Sequence, residues 1–277
     1  MKGLVRSLLI SSALLGVFAA SPAAAAPPSE VPVAPVQLAL GDSWAAGAGA
    51  SAPSEGYVPQ LHEALKEDFN CSGRAPEDAE AGCEQLRLVS VAEGGATTPS
   101  MVASQFPQAI PLLEERNGSP NPRDDVELTT LHIGGNDVTN PIIAACVFGQ
   151  APCQETIDTE LAAYRSDLDG ALATLRAAAG DDRIVIGTYD NPIGSCFLAA
   201  FPGAVQLGDR VLEGGPGVPQ GLHDIMRELA ATHGVEVAEI YGDMVPSDWL
   251  GGNDCLHPRD SGYDKVTTAF LEALGLG

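Results

Sequence analysis

Short apolar runs alternate with helix-like stretches along this chain, and that alternation restricts its fold more than any other feature. The runs cover residues 36–40, 86–92, 126–133, 183–189 and 235–240. Apolar side chains dominate them, as they do in strands that are buried on both faces of a parallel sheet. The sequence therefore predicts an α/β fold in which helices cover both faces of a five-stranded parallel sheet. Ligands of such folds bind beyond the carboxyl ends of the strands.

Three segments place apolar residues at helical spacing. The clearest covers residues 157–175 and has Gly180 in position to end it. A second covers residues 222–229 and ends before Gly234, and the last begins near Ser261. We predict a helix for each of them.

Residues 197–221 are rich in Gly and Pro and have no clear period, which favours a long surface excursion. The chain shows no internal repeat and no strong internal linker. We therefore expect one domain over residues 36–277, a length that a single domain can reach.

The first 26 residues match a secretory signal peptide. A basic start and an apolar run over residues 8–20 precede an Ala-x-Ala pattern that ends at Ala26. The run is shorter than the roughly 20 apolar residues that a membrane-spanning helix needs. We expect cleavage after Ala26, a Pro-rich linker over residues 27–35, and a secreted, soluble protein with no stable membrane anchor.

The chain is strongly acidic, with 14 Lys and Arg against 37 Asp and Glu and a formal net charge of -23. Polyanionic partners gain affinity from clustered basic residues, so this composition excludes nucleic acid as a partner and disfavours anionic membrane surfaces. Hydrophobic residues make up 45% of the chain, which is enough to build a folded core.

The six cysteines are expected to form disulfides, because an exported protein folds under oxidising conditions. Six cysteines allow fifteen connectivities. A metal site is the alternative, but the sequence has no C-x-x-C motif and no His/Cys cluster with zinc spacing. Our interpretation is sequential pairing, which joins Cys71 to Cys83, Cys146 to Cys153, and Cys196 to Cys255.

A serine follows the first predicted strand directly, in Gly41-Asp42-Ser43. This places a hydroxyl where a nucleophile meets substrate, although the same tripeptide also occurs as an ordinary turn. The Gly-x-Ser-x-Gly elbow of α/β-hydrolases is absent, because position 45 is Ala. A serine hydrolase with this sequence therefore needs a different scaffold.

Two glycine-containing segments follow the second and third predicted strands. In the first, the N–H of Gly95 has no side chain to shield it, and in the second Asn136 offers an amide donor after two glycines. Donors of this kind stabilise an oxyanion. Tight strand-to-helix turns explain the glycines equally well when either segment is viewed alone.

An acid and a histidine stand three residues apart near the carboxyl end, in Asp254-Cys255-Leu256-His257. Within one loop, the Asp254 carboxylate can orient the His257 imidazole so that its other nitrogen accepts the proton of Ser43. Viewed alone, the pair is also compatible with a solvated turn.

Together these segments resemble the SGNH hydrolase superfamily of GDSL-type lipases and esterases. The resemblance spans residues 41–258 and rests on four blocks in the family's order, namely Gly41-Asp42-Ser43, Gly95-Ala96-Thr97-Thr98, Gly134-Gly135-Asn136-Asp137 and Asp254-x-x-His257-Pro258.

The resemblance implies a flavodoxin-like three-layer α/β/α sandwich with a five-stranded parallel sheet. It implies that Ser43 is the nucleophile, His257 the general base and acid, and Asp254 the orienting acid. It also implies that the N–H groups of Ser43 and Gly95 and the side chain of Asn136 donate to the oxyanion. No metal or organic cofactor is implied.

Trp44 stands where the family's name has Leu, a position that varies within the superfamily. The exported six-cysteine form is similar to the secreted bacterial branch, in which three disulfides between successive cysteines are common. Some members of that branch use a backbone carbonyl in place of the acid. Asp254 occupies the matching position here, so we expect a full triad.

The function implied is a secreted serine ester hydrolase, a lipase or esterase that acts as a monomer on small-molecule or lipid acyl esters. One alternative is a carbohydrate O-deacetylase with the same triad, and another is a secreted binding module without turnover. The apolar residues 197–201 follow the fourth strand, and they either line an acyl pocket or belong to the core.

The remaining motifs and histidines have ordinary structural explanations. Residues 47–52 match a loose dinucleotide-binding fingerprint, but they lie several residues beyond the strand end. His62, His223 and His233 fall in helical patterns and are expected at the surface or at helix caps. His132 lies in a predicted strand and is expected to be a packed histidine.

Overall fold

The computed structural model describes residues 34–69, 86–120 and 124–277. Its central sheet has five strands, all parallel, in the order β2-β1-β3-β4-β5. This confirms the predicted sheet, since each strand lies in one of the predicted runs and only β1 extends beyond its run, by one residue. The strands are β1 (Val36–Gly41), β2 (Arg87–Ser90), β3 (Val126–His132), β4 (Arg183–Gly187) and β5 (Glu236–Ala238).

Helices flank this sheet and give the expected three-layer α/β/α fold. Helix α1 packs against α8, whereas α5 contacts α2, α3, α4 and α7. The helices are α1 (Tyr57–Phe69), α2 (Thr98–Ser104), α3 (Phe106–Asn117), α4 (Gly135–Ile142), α5 (Cys153–Ala179), α6 (Ala204–Glu213), α7 (Leu222–His233) and α8 (Asp260–Ala273), with a π-helical turn over Ile143–Val147 and short 3-10 segments over Pro53–Glu55, Pro192–Ser195, Phe197–Ala200 and Pro246–Asp248.

The core explains why the predicted elements form. All six residues of β1 are buried, as expected for a strand with helices on both of its faces. Helix α5 buries the apolar face that its spacing predicted, and it ends at Gly180, whose φ is +62°. Helices α7 and α8 confirm the other two helical patterns.

The interpretation of residues 197–221 as a surface excursion is wrong. Helix α6 lies within this stretch and buries Leu207 and Val211. Its apolar face spans only about two turns, and Gly203 and Gly214 interrupt the sequence on either side. The helical period of the apolar residues was therefore too short to recognise between these glycines.

A small second sheet lies outside the main one. Strands β6 (Trp249–Gly251) and β7 (Asp254–Pro258) pair antiparallel. Asp254 and His257 therefore lie on a short hairpin strand, not in the loop expected from the sequence. These strands have only three and five residues and no clear alternation, so this hairpin was not predicted.

Two disulfides occur in the described part of the chain, and they join Cys146 to Cys153 and Cys196 to Cys255. These are the pairings that we interpreted for those four cysteines. Cys71 and Cys83 lie outside the described residues, as does the expected signal peptide of residues 1–26. Most of the expected linker, residues 27–35, also lies outside them. None of the described helices is long and apolar enough to cross a membrane.

Candidate active site

Strand β1 ends in a turn that places Ser43 at the carboxyl edge of the sheet, where it is largely buried. Gly41 has φ +135°, and a Cβ atom there would lie 2.1 Å from the carbonyl oxygen of His132. Only glycine therefore fits at this position. The Asp42 N–H donates to that same carbonyl at 2.8 Å, so the pairing of β1 with β3 continues to the residue before Ser43.

A buried glutamine holds the end of β1 from the side. The Oε1 atom of Gln105 accepts the N–H of Gly41 at 2.9 Å, and its Nε2 donates to the Gly41 carbonyl at 2.7 Å. Gln105 lies between α2 and α3 and has no exposed surface. These two bonds fix the backbone two residues before Ser43.

The structure brings Ser43, His257 and Asp254 together in one hydrogen-bonded chain. The Ser43 hydroxyl donates to Nε2 of His257 at 3.0 Å, and Nδ1–H of His257 donates to Oδ2 of Asp254 at 2.8 Å. Since an ionised carboxylate can only accept, the imidazole proton lies on Nδ1 and leaves Nε2 free to accept. This is the geometry of a general base that faces a hydroxyl nucleophile.

Local bonds hold the acid in place. Oδ1 of Asp254 accepts the N–H groups of Leu256 and His257, each at 2.9 Å. Burial raises the pKa of Asp254, but its bonds with the His257 side chain and with these two N–H groups outweigh burial, so its pKa lies below the ordinary value. Asp254 is therefore ionised at neutral pH.

Two contacts tie the histidine strand to the rest of the site. The Cys196–Cys255 disulfide joins the segment after β4 to the residue that follows Asp254. The indole N–H of Trp44 donates to the Leu256 carbonyl at 2.9 Å, which links the turn of Ser43 directly to the strand of His257.

The segments that carry Gly95 and Asn136 are bonded to each other. Nδ2 of Asn136 donates to the Ala96 carbonyl at 2.9 Å, and both carboxylate oxygens of Asp137 accept the N–H of Thr98 at 3.0 Å. Gly95 has φ +80° on an exposed turn. Within the described ranges, the N–H groups of Ser43 and Gly95 have no acceptor. Two backbone donors and the second Nδ2 hydrogen of Asn136 therefore stay available.

A largely apolar pocket opens beside Ser43 and Asn136, with about 780 Å³ of space when its open mouth is included. Helix α4 with its π-helical turn forms one wall, and α6 with the segment after β4 forms the other. The apolar side chains on these walls include Val138, Ile142, Val147, Ile193, Leu207 and Val211.

Residues 197–201 do not line this pocket. Leu198 is buried in a small second core with Ile193 and Ala204, whereas Phe197 and Phe201 are exposed. Neither the acyl-pocket nor the core interpretation of this run holds as a whole, because it forms a 3-10 turn that buries only one of its side chains deeply.

Histidines away from the triad have structural surroundings. His132 is fully buried beside Thr188, and burial lowers its pKa to about 3, so it is neutral and packed as expected. The expectation of a surface position for His223 is wrong. This histidine is also fully buried, and it accepts the Tyr189 N–H and bonds to Glu213. His62 and His233 are partly exposed.

Sequence reasoning missed several residues that support the site. Gln105, Tyr189 and the indole of Trp44 each make bonds to segments distant in sequence. Gln105 and Tyr189 belong to no local motif, so no local signal indicates them. Trp44 follows the serine block, but nothing local indicates the bond that its indole makes. In the described part of the chain, no group of three or more His, Cys, Asp or Glu side chains is arranged to hold a metal ion.

Comparison with known proteins agrees with this fold. The sequence profile of a family described as the GDSL-like lipase/acylhydrolase family matches residues 39–265. None of the curated protein sequences compared with the chain matches it.

Solved structures with the same fold include three hydrolases. A lipase from a goat rumen metagenome is 18% identical, with 86% of this chain and 97% of that chain covered and a TM-score of 0.57. An extracellular lipase from Streptomyces rimosus is 19% identical, with 87% of this chain and 99% of that chain covered and a TM-score of 0.56. An acetylxylan esterase from Geobacillus stearothermophilus is 16% identical, with 89% of this chain and 98% of that chain covered and a TM-score of 0.55.

Proposed function

Because the chain belongs to the GDSL-like lipase/acylhydrolase family, we propose that it is a secreted serine hydrolase that cleaves carboxylic esters through an acyl-enzyme. The observation that carries this proposal is the hydrogen-bonded chain of Ser43, His257 and Asp254 at the mouth of an apolar pocket.

Acylation begins when the Ser43 oxygen attacks the ester carbonyl carbon and its proton passes to Nε2 of His257. The Asp254 carboxylate stabilises the imidazolium that forms. The carbonyl oxygen becomes an oxyanion, which accepts hydrogen bonds from the N–H groups of Ser43 and Gly95 and from the Asn136 amide. As the tetrahedral intermediate collapses, His257 returns the proton to the leaving alcohol.

Deacylation repeats these steps with water. His257 takes a proton from the water molecule as its oxygen attacks the acyl carbon, and then gives that proton to the Ser43 oxygen as the carboxylic acid leaves. Both halves need a neutral imidazole, so we expect the rate to fall in acid. A rate that stays flat down to about pH 4 would contradict the role of His257.

The pocket supports an acyl chain longer than acetyl. Aliphatic side chains on both walls favour a bound alkyl chain, whereas an acetyl group would leave most of that apolar surface in water. Secretion is supported by the signal-like pattern of residues 1–26 and by two disulfides, which persist in oxidising compartments. The domain of residues 36–277 would then act after removal of the signal peptide.

The test compares the intact protein with Ser43→Ala on p-nitrophenyl esters from acetate to palmitate, with a chelator present. We expect hydrolysis in chelator, a fall of about 10⁴-fold or more in Ser43→Ala, and highest activity above acetate. Ser166→Ala, on the exposed face of α5, is the matched control and should keep full activity. Activity confined to acetate esters would favour the carbohydrate deacetylase, and absence of turnover would favour a binding module.

A further inference from the structure

Asp42, the residue before the nucleophile, is a buried carboxylate with one donor on each oxygen. The Trp44 N–H donates to Oδ1 at 2.9 Å, and the Tyr189 hydroxyl donates to Oδ2 at 2.6 Å. Asp42 is 1% exposed, and within the described ranges no Lys or Arg pairs with it. Its negative charge therefore depends on these two donors.

Turn geometry does not explain why this residue is a carboxylate. The turn needs one acceptor for the Trp44 N–H, and an asparagine oxygen supplies that without a buried charge. A buried carboxylate is costly to ionise. The pKa of Asp42 is raised to about 7, and burial is the largest cause. The bonds from Tyr189 and Trp44 lower this pKa. Of the two smaller contributions, that of Asp137 raises the pKa and that of His257 lowers it.

Tyr189 is itself held tightly, in the segment that follows β4. Its N–H donates to Nε2 of the buried His223 at 3.0 Å. Its ring centroid lies 5.1 Å from that of Trp44, and a Cβ atom on Gly135 would lie only 3.1 Å from the ring. The ring therefore has little freedom to move its hydroxyl away from Asp42.

A second layer of bonds fixes His223. Nδ1–H of His223 donates to Glu213, and Glu213 also accepts hydrogen bonds from Arg227 at 3.2 and 3.3 Å. Since Nε2 accepts the Tyr189 N–H, His223 is a neutral imidazole with its proton on Nδ1. The contacts therefore run without a break from Arg227 to the turn that carries Ser43.

We propose that Asp42 and Tyr189 are positioning residues for ester hydrolysis, in which Tyr189 orients Asp42 and favours its ionised form, and the Asp42 charge stabilises the imidazolium of His257 from the Ser43 side. Asp254 serves the opposite edge of the same ring, at Nδ1. Asp42 is buried and His257 is only partly exposed, so water screens their attraction incompletely and it operates without direct contact. This inference rests on the proposed serine hydrolysis.

Most of the other titratable groups around Asp42 do not change their charge near neutral pH. Burial keeps the pKa values of the tyrosines well above their ordinary value, so the tyrosines stay neutral, and His132 stays neutral because its pKa is about 3. Asp137 is a carboxylate whose pKa burial also raises. The groups that face Asp42 are Tyr57 of α1, His132 of β3, Asp137 of α4, Tyr164 of α5, Tyr189 after β4, His257 of β7 and Tyr263 of α8.

The experiment measures kcat and KM from about pH 5 to 9 for the intact protein, Asp42→Asn, Tyr189→Phe and the double variant. We expect Asp42→Asn to lower kcat about tenfold above neutral pH, with KM nearly unchanged, and to remove the part of the pH profile that titrates near 7. Tyr189→Phe should move that part to higher pH, so that activity lost at neutral pH returns in alkali. The double variant should be no slower than Asp42→Asn, because Tyr189 acts through Asp42.

Tyr164→Phe is the matched control. Its hydroxyl is equally buried but donates to the Ile133 carbonyl, so we expect no shift of the pH profile. Asp42→Asn with unchanged kcat and pH profile, or losses that multiply in the double variant, would overturn the inference. Ser43→Ala separates the two proposals, because an inactive Ser43→Ala beside a fully active Asp42→Asn rejects only the role of Asp42.

Discussion

The proposed nucleophile and its proposed base are held in place in different ways. Ser43 follows a strand that is buried on both faces, and the backbone before it is bonded to β3 and clamped by Gln105. His257 lies on a partly exposed hairpin of two short strands outside the main sheet. That hairpin is joined to its surroundings by a disulfide, by the Trp44 indole and by a bond from the Phe197 N–H to the Gly252 carbonyl, and its Trp249 packs in the main core.

The difference shows that two parts of one catalytic unit can reach similar order by different physical means. Packing and backbone pairing hold the nucleophile, so its position cannot be lost without loss of the sheet. Cross-links hold the base, so its position can be lost while the sheet survives. Substitutions on the two sides should therefore separate activity from stability in opposite ways.

The largest effect should come from Gly41→Ala on the nucleophile side. The added Cβ atom would overlap the His132 carbonyl, at a backbone φ that alanine avoids. We expect a loss of at least about 3 kcal/mol in the free energy of unfolding, with activity lost in parallel. Chemical denaturation followed by circular dichroism measures it. The control Gly170→Ala, at an open helical position in α5, should be neutral or slightly stabilising.

The second effect is on the pH dependence of stability. Folded Asp42 keeps its proton up to about pH 7, compared with 3.8 for the ordinary value, so the native state binds more protons and stability falls as the pH rises through this window. Asp42→Asn should flatten that fall and stabilise the protein by about 2–4 kcal/mol above pH 7. Denaturation midpoints between about pH 4 and 8 measure it.

Asp254 provides the opposite case. Its pKa is lowered in the folded state, so its contribution to stability is present above the ordinary value of 3.8 and is lost as the pH falls through the folded pKa. Asp254→Asn should therefore destabilise the protein at neutral pH, where Asp42→Asn stabilises it. Shifts of the same sign in both variants would contradict this comparison.

The third effect should appear when the base loses its covalent link. With Cys196 and Cys255 both replaced by Ala, we expect kcat to fall by about 10- to 100-fold at a temperature where helical circular dichroism is still that of the intact protein. Replacing Cys146 and Cys153 is the matched control, since it removes a disulfide that is not joined to the histidine strand. Activity and helicity that fall together in the first variant would argue against a separable base.

The smallest effect should come from Trp44→Phe, which removes the bond between the two sides. Loss of the bond to the Leu256 carbonyl should cost about 1 kcal/mol and lower kcat severalfold, because His257 then has more freedom relative to Ser43. Trp249→Phe is the control, since Trp249 packs 5.7 Å from Trp44 but its indole makes no bond to the site. Equal effects of the two variants would assign the loss to packing alone.

The sequence predicted the sheet well because long-range order there follows from local pattern. Each strand is a short apolar run, and the ends of adjacent parallel strands must meet. Ser43, Gly95 and Asn136 were therefore expected near one another. Asp254 and His257 follow no strand of that sheet directly, and the chemistry of a triad and the family resemblance placed them beside Ser43.

What the sequence could not predict depends on contacts between distant segments. Tyr189 and His223 are single residues 34 positions apart, and their bond depends on how α7 packs against β5, the strand next to β4. Gln105 reaches Gly41 across 64 positions. Helix α6 and the β6–β7 hairpin escaped prediction for another reason, since each is too short to produce a clear period.

The order of the triad along the chain has a consequence for timing. Ser43 and His257 are 214 positions apart, and His257 lies on the last strand before the final helix. At the usual rate of about 5–20 residues per second, a growing chain carries its serine for roughly 10–40 seconds before its histidine exists. A partial chain therefore lacks the proposed base, and we expect no turnover by the proposed mechanism until the last strand has been synthesised.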